Sequence, residues 1–229
     1  MKLTFNTKLV STPDLYILSA FHKQNPNSKN TSDIVNSHWS KDLQDEFSSL
    51  KGNFKGEKEK LFTFHNTLGI PVLCVGLGDK TKVKEEDLRK AIACAYRFAK
   101  EQKYQNIQMD FDSFHVFKDH ATTAGILTES LLMTDYTFEK YKSKPNTFQA
   151  SVTLFSKEKK FQGKIEHKIQ EVTSVVESIN FTRNLVNESP NNLHSEKMAE
   201  LIAEDVKKHL KGVKIKILGK EELKKEKMN

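Results

Sequence analysis

The run Ile70 to Leu77, "IPVLCVGL", narrows the folds open to this chain more than any other stretch. A short apolar run bounded by turn residues, here "NTLG" before it and Gly78 after it, reads as a buried strand. From Glu85 to Lys103 the apolar positions Leu88, Ala91, Ile92, Ala95 and Ala99 recur at the spacing of one helical face. A buried strand followed at once by an amphipathic helix requires an α/β layer in which helices cover a sheet.

The rest of the chain extends that pattern. Leu3 to Val10, Leu15 to Phe21, Lys60 to His65, Asn106 to Phe111 and Phe148 to Phe155 read as strands. Asp33 to Leu50 and Ala121 to Thr134 read as helices. After "SKEKKFQGK" the period changes: Ile165, Ile169, Val172, Val176, Ile179 and Val186 form one apolar stripe on a single long helix. Asn187, Pro190, Asn191 and Asn192 end it. Ser195 then reads as the N-cap of a helix with the apolar face Met198, Leu201, Ile202, Val206 and Leu210. Beyond Gly212, "VKIKIL" alternates like a strand, and "GKEELKKEKMN" starts another helix. The organisation expected is an α/β domain over residues 1–160, a connecting helix over 161–187 and the opening of a second α/β domain over 188–229.

Charge and cysteine content exclude several classes. No apolar run approaches the roughly 20 residues that a membrane helix needs, and no leader pattern opens the chain, so a cytoplasmic protein is expected. Cys74 and Cys94 are the only cysteines, too few for a disulfide framework. The formal charge of +7 comes almost wholly from lysine, since Arg89, Arg97 and Arg183 are the only arginines. Lysine is a point charge without arginine's bidentate fork, so the surplus suits weak, salt-sensitive and non-specific DNA contact rather than base readout. Its densest part is Lys140, Lys142, Lys144, Lys157, Lys159, Lys160, Lys164 and Lys168.

Two stretches invite a site. In "VGLGDK", Gly76, Gly78 and Asp79 lie between a strand and a helix, where backbone amides can hold a phosphate. The dinucleotide fingerprint would need a third glycine at Thr81, and a tight turn serves the same residues. In "DFDSFHVFKDH", Asp110, Asp112, His115, Asp119 and His120 suggest a metal, but the histidines stand at i, i+5 rather than i, i+4, and no cysteine joins them. Strand-end carboxylates and loop histidines account for them, and no metal ligand is assigned. Arg183 falls on the apolar stripe of the long helix, where an ion-paired residue at a domain seam is expected.

At the junction, "RNLVNESPNNLHSEKMAE" resembles the entry to the catalytic domain in the leucyl, or cytosol, aminopeptidase family, and Arg183, Asn187, Pro190 and Asn191 carry the likeness. "VLCVGLGDKTKVKEEDLRKAIACAYRFAKE" and "GILTESLLMTDYTFEKYKSK" are similar, in order and spacing, to that family's N-terminal domain. The resemblance covers most of Val72 to Met228. It implies a macro-domain-like N-terminal sheet with flanking helices, then a connecting helix and the first elements of a second α/β domain.

The same resemblance implies peptide substrates, hexameric self-association and two divalent metals, Zn or Mn, held by a lysine, aspartates and a glutamate of the catalytic domain. No counterpart of those ligands, nor of the family signature Asn-Thr-Asp-Ala-Glu-Gly-Arg, occurs here. All would lie beyond Asn229, so no catalytic residue is assigned and the 229-residue chain is expected to be inactive alone. The alternative is a stand-alone macro-like module that binds a nucleotide or nucleic acid, an analogy from fold only.

Overall fold

In the computed structural model, which describes residues 1–8, 12–22, 32–33, 41–50, 52 and 54–228, residues 71–77 of the apolar run lie in the longest strand of a sheet. The sheet runs β1 (Lys2–Asn6), β7 (Ser151–Phe155), β6 (Asn106–Asp110), β2 (Leu15–His22), β5 (Pro71–Asp79), β4 (Leu61–His65). The first five in this order are mutually parallel, whereas β4 returns antiparallel to β5 and the two-residue β3 (Ser32–Asp33) pairs antiparallel with the end of β2. The β4–β5 hairpin closes on Asn66, whose Oδ1 accepts the Leu68 and Ile70 amides, while Gly69 takes φ +72°.

Alternation along the strands divides the core. Leu15, Ile17, Leu73, Val75, Leu77, Ile107, Met109, Val152 and Leu154 point to one face. There they meet α2 (Glu85–Glu101) through Leu88, Ile92 and Tyr96, and α4 (His120–Asp135) through Leu127 and Leu131. Leu18, Val72 and Cys74 point to the other face, where Phe64 of β4 and Phe47 of α1 (Lys41–Leu50) cover them. The α2 start is closed by Asp87, which accepts the Lys84 amide at 2.9 Å and pairs with Lys58 at 2.7 Å.

Two compact units result, Met1–Ser178 and Ile179–Asn229, with the boundary inside the 26-residue helix α5 (Gln162–Asn187). In the first unit, Ile165 and Ile169 of α5 join the sheet core. The second unit holds the end of α5, a turn closed by Asn192 and Leu193 amides on Ser189 O, α6 (Ser195–His209) and α7 (Lys220–Lys225).

Three local expectations change. Ser195 is the first residue of α6, not its cap; His194 holds the cap position without a side-chain hydrogen bond, and its carbonyl accepts the Met198 amide. Val213 to Leu218 has no strand ladder, because alternation makes a strand only where a neighbouring backbone pairs with it, and no described residue does so. Asp33 belongs to β3, and the helix expected from it begins at Lys41; residues 34–40 of that expectation, like Val10 of the first strand, lie outside the described residues.

Gly76 tests the packing at the end of β5. A Cβ there would stand 1.9 Å from Glu57 O, a backbone atom that cannot swing away. Gly76→Ala is therefore expected to lower stability by about 2 kcal/mol or more in urea denaturation, through overpacking.

Candidate functional site

Because five strands are parallel, their carboxyl ends reach one edge of the sheet, where open α/β sheets place ligands. His22, Asp79, Asp110, Phe155 and Asn6 are the last strand residues there. β6 turns straight into the single-turn α3 (Phe111–Phe114), and Asp110 caps it, its Oδ1 accepting the Asp112 amide at 3.2 Å. A buried serine latch ties α3 to β2. The Ser19 amide donates to Ser113 Oγ at 3.0 Å, Ser19 Oγ donates to Ser113 O at 2.5 Å, and Ser113 Oγ donates to Asp110 O at 2.9 Å.

The latch holds Asp110 out of water. Its Oδ2 is buried without a hydrogen-bond partner, and the residue is 6% exposed. Burial, then the neighbouring Asp112, raises the Asp110 carboxyl to about 7, against the opposing pull of the Asp112 and Ser113 hydrogen bonds and of Lys157. A protonated carboxyl resolves the cost of an orphaned buried charge without any ligand.

The two histidines of the same segment come together although their spacing does not match one helical face. His115 follows α3 and His120 opens α4, with ring centroids 3.9 Å apart. Asp119 caps α4 by accepting the Thr122 amide at 3.0 Å, and it pairs with Lys164 of α5 at 2.5 Å. That Lys164 contact, foremost, draws the Asp119 carboxyl down to about 2. Among the described residues no three His, Cys, Asp or Glu side chains converge on a point that could hold a metal ion.

Gly76, Gly78 and Asp79 fall inside β5 rather than in a free loop. The Gly76 amide donates to Lys60 O and the Gly78 amide to Gly56 O, both at 2.8 Å, which leaves neither for an anion. Gly78 has φ +75° and lies under the Lys58 side chain. Asp79 Oδ1 accepts the amide and hydroxyl of Thr81. Of the clustered lysines, Lys142, Lys164 and Lys168 are ion-paired to Glu139, Asp119 and Glu171.

Cys74 is buried, which raises its thiol well above the ordinary value; Cys94 is partly buried, 3.8 Å from Glu59 Oε2, and is raised first by burial. A groove of about 280 Å³ between α2 and α4 is lined by Arg89, Ala93, Arg97, Glu129 and Met133, and Arg89 is already spanned between Glu129 and Glu85. Of the junction residues in the second unit, Arg183 is partly buried and donates to Asn180 Oδ1 at 3.3 Å, while Asn187, Pro190 and Asn191 are exposed around the turn after α5. Sequence reasoning missed the serine latch and the imidazole contact. Ser19 and Ser113 stand 94 positions apart, and the histidines, at i, i+5, meet only because the chain turns between α3 and α4.

The fold defines a class first: a mixed α/β domain with a mostly parallel sheet. The chain belongs to the cytosol aminopeptidase family, whose N-terminal domain matches residues 22–145. The probable cytosol aminopeptidase of Clostridium tetani is 31% identical over 189 residues, 80% of this chain and 38% of that protein. That of Persephonella marina is 28% identical over 159 residues, 69% of this chain and 32% of that protein. The chain thus spans about a third of the length of the curated relatives it matches.

Among solved structures, a mutant of tomato leucine aminopeptidase aligns with a TM-score of 0.75 at 17% identity, covering 99% of this chain and 46% of that one. The bottromycin maturation enzyme BotP in complex with Mn aligns at 0.63 and 16% identity, covering 86% of this chain and 37% of that one. At such identities the likeness is one of fold.

The buried carboxyl gives a measurable pH dependence. With its folded value raised from 3.8 to about 7, Asp110 binds a proton more tightly in the fold than in the unfolded chain. The stabilisation is complete below the unfolded value and is lost as pH rises from about 4 through about 7, by at most about 4 kcal/mol. Asp110→Asn is expected to flatten this fall, so that the variant matches or exceeds the parent in stability at pH 8, measured by urea denaturation across that range.

Proposed function

We propose that this chain supplies the N-terminal accessory domain, the connecting helix and the opening elements of a leucyl-type aminopeptidase that releases N-terminal residues from peptides. The observation that carries this reading is the match of residues 22–145 to the family's N-terminal domain, with the chain spanning about a third of its relatives. The domain limits remain 1–160, 161–187 and 188–229 in this reading, and the change of compact unit inside α5 supports a seam there.

The reaction of such an enzyme uses paired divalent ions, which polarise the scissile carbonyl and supply hydroxide. The described residues do not fit that centre, because they bring no three candidate ligands together. In this reading hydrolysis belongs to the part of the relatives' length that this chain does not match, and the role of this chain is to support and to join. A cytoplasmic location and self-association belong to the same proposal. No helix of the described residues is long and apolar enough to cross a membrane.

The second unit favours this reading over a self-sufficient module. Val186, Met198, Ile202, Leu210, Val213 and Ile217 are all exposed, an apolar area that a partner surface would cover. Val213, Ile215 and Ile217 alternate with Lys214 and Lys216 and carry no ladder. Such a backbone is ready to join a sheet.

Two measurements test the proposal. The purified chain should not hydrolyse leucine amide analogues with or without added Zn²⁺ or Mn²⁺; metal-stimulated turnover free of contaminating peptidase would refute it. In hydrogen exchange at low protein concentration, residues 213–218 should be poorly protected and residues 72–75 strongly so. Equal protection of both segments in a strict monomer would make the tail part of a complete fold and would favour the stand-alone module.

A further inference from the structure

The column of rings at the start of α4 has no part in the proposed function. His115 and His120 stand centroid to centroid at 3.9 Å, with 31° between their planes. Phe161, the residue before α5, stacks on His120 at 3.8 Å and 18°, and Phe111 flanks the two imidazoles at 6.0 and 6.2 Å. His115 Nδ1 lies 2.9 Å from Thr123 Oγ1, which anchors that ring to α4. His120 is 16% exposed, with its Nε2 3.8 Å from Glu158 Oε2. Beside the column, the Asp119–Lys164 pair makes a second tie between α4 and α5.

We propose that the closely apposed imidazoles of His115 and His120 form an acid-sensitive clasp, which helps to hold the first turns of α5 against the start of α4 near neutral pH and opens when both rings are protonated. Uncharged imidazoles stack well at this distance, whereas two imidazolium ions in a half-buried setting repel strongly. His120 is also the first residue of α4, at the positive end of the helix dipole.

The carboxylates that face the pair are Asp112 of α3, Asp119 at the α4 cap and Glu158 ahead of α5. Asp119 is committed to Lys164 and to the Thr122 amide. The adjoining segments also carry the cations Lys118, Lys157, Lys160 and Lys164. The balance at His115 is against charge: burial first, and then the His120 ring, lower its proton affinity more than the three carboxylates raise it. Displacement of His120 from the column removes the Phe161 stack, and with it one of the two ties between the entry of α5 and the start of α4.

The test combines histidine side-chain NMR titration from pH 8 to pH 4.5 with hydrogen exchange of residues 161–169 at pH 7.5 and 5.0, corrected for intrinsic rates. The parent chain should show coupled titration of His115 and His120, and at least about tenfold lower protection of residues 161–169 at pH 5.0. His120→Phe keeps an aromatic ring in the column but removes one proton site. It should raise the His115 midpoint, because one of the two causes that lower it is gone, and preserve protection at pH 5.0. Should that variant not fold, His115→Gln serves instead, and protection of residues 161–169 should then be the same at pH 7.5 and 5.0. Independent titration of both rings in the parent chain, or protection of residues 161–169 that is the same at the two pH values, overturns the clasp.

Discussion

Leu73, Val75 and Leu77 of β5 share one water-free core with Leu88 and Ile92 of α2 and with Leu127 and Leu131 of α4, and the positions of the other elements follow from that contact. Full burial of a side chain of this size contributes about 1.5–3 kcal/mol, so the cluster outweighs any single polar contact in the unit. It requires β5 to be covered on both faces, which the Phe47 and Phe64 cluster completes on the side away from α2. A strand buried on both faces can be almost continuously apolar, which is why "IPVLCVGL" contains no charge.

The same burial sets the chemistry of the sheet edge. With α2 and α4 packed on one face, the connections hold the five main strands parallel, and their carboxyl ends meet. At that edge α3 is drawn onto β2 by two serines, and the price is a carboxyl, Asp110, whose charge has no solvent and whose second oxygen has no donor. The latch, the raised carboxyl and the paired imidazoles are consequences of one tight turn from β6 into α4. They resemble a metal site in composition, yet Asp119 is committed to Lys164, His115 to Thr123, and burial raises the Asp110 carboxyl.

The second unit has a different balance. Its helices are short and lysine-rich, Ala203 is its one buried apolar side chain among the described residues, and the apolar face of α6 is largely open. A unit with so little buried area cannot supply the stability that the first unit draws from its sheet.

The local periods of the sequence were enough for most of the longer elements of the first unit, though not for β3, α3 or the start of α1. The hairpin of β4 and β5, helix α2, helix α4 and the long helix α5 could each be placed to within a few residues, because their signals lie within windows of ten to twenty positions. The break between α5 and α6 was also legible, and so was the family. "VKIKIL" failed as a strand because a ladder is a property of two segments, and periodicity describes only one. The phosphate turn is formed by its own chain, whose Lys60 and Gly56 carbonyls take the Gly76 and Gly78 amides from 16 and 22 positions away in sequence. The serine latch, the raised carboxyl of Asp110 and the contact of His115 with His120 depend on which atoms, brought together by the fold, exclude water from a given point. Residue order determined the elements and the family; only the packed sheet decided which polar groups would be paired, buried or brought into contact.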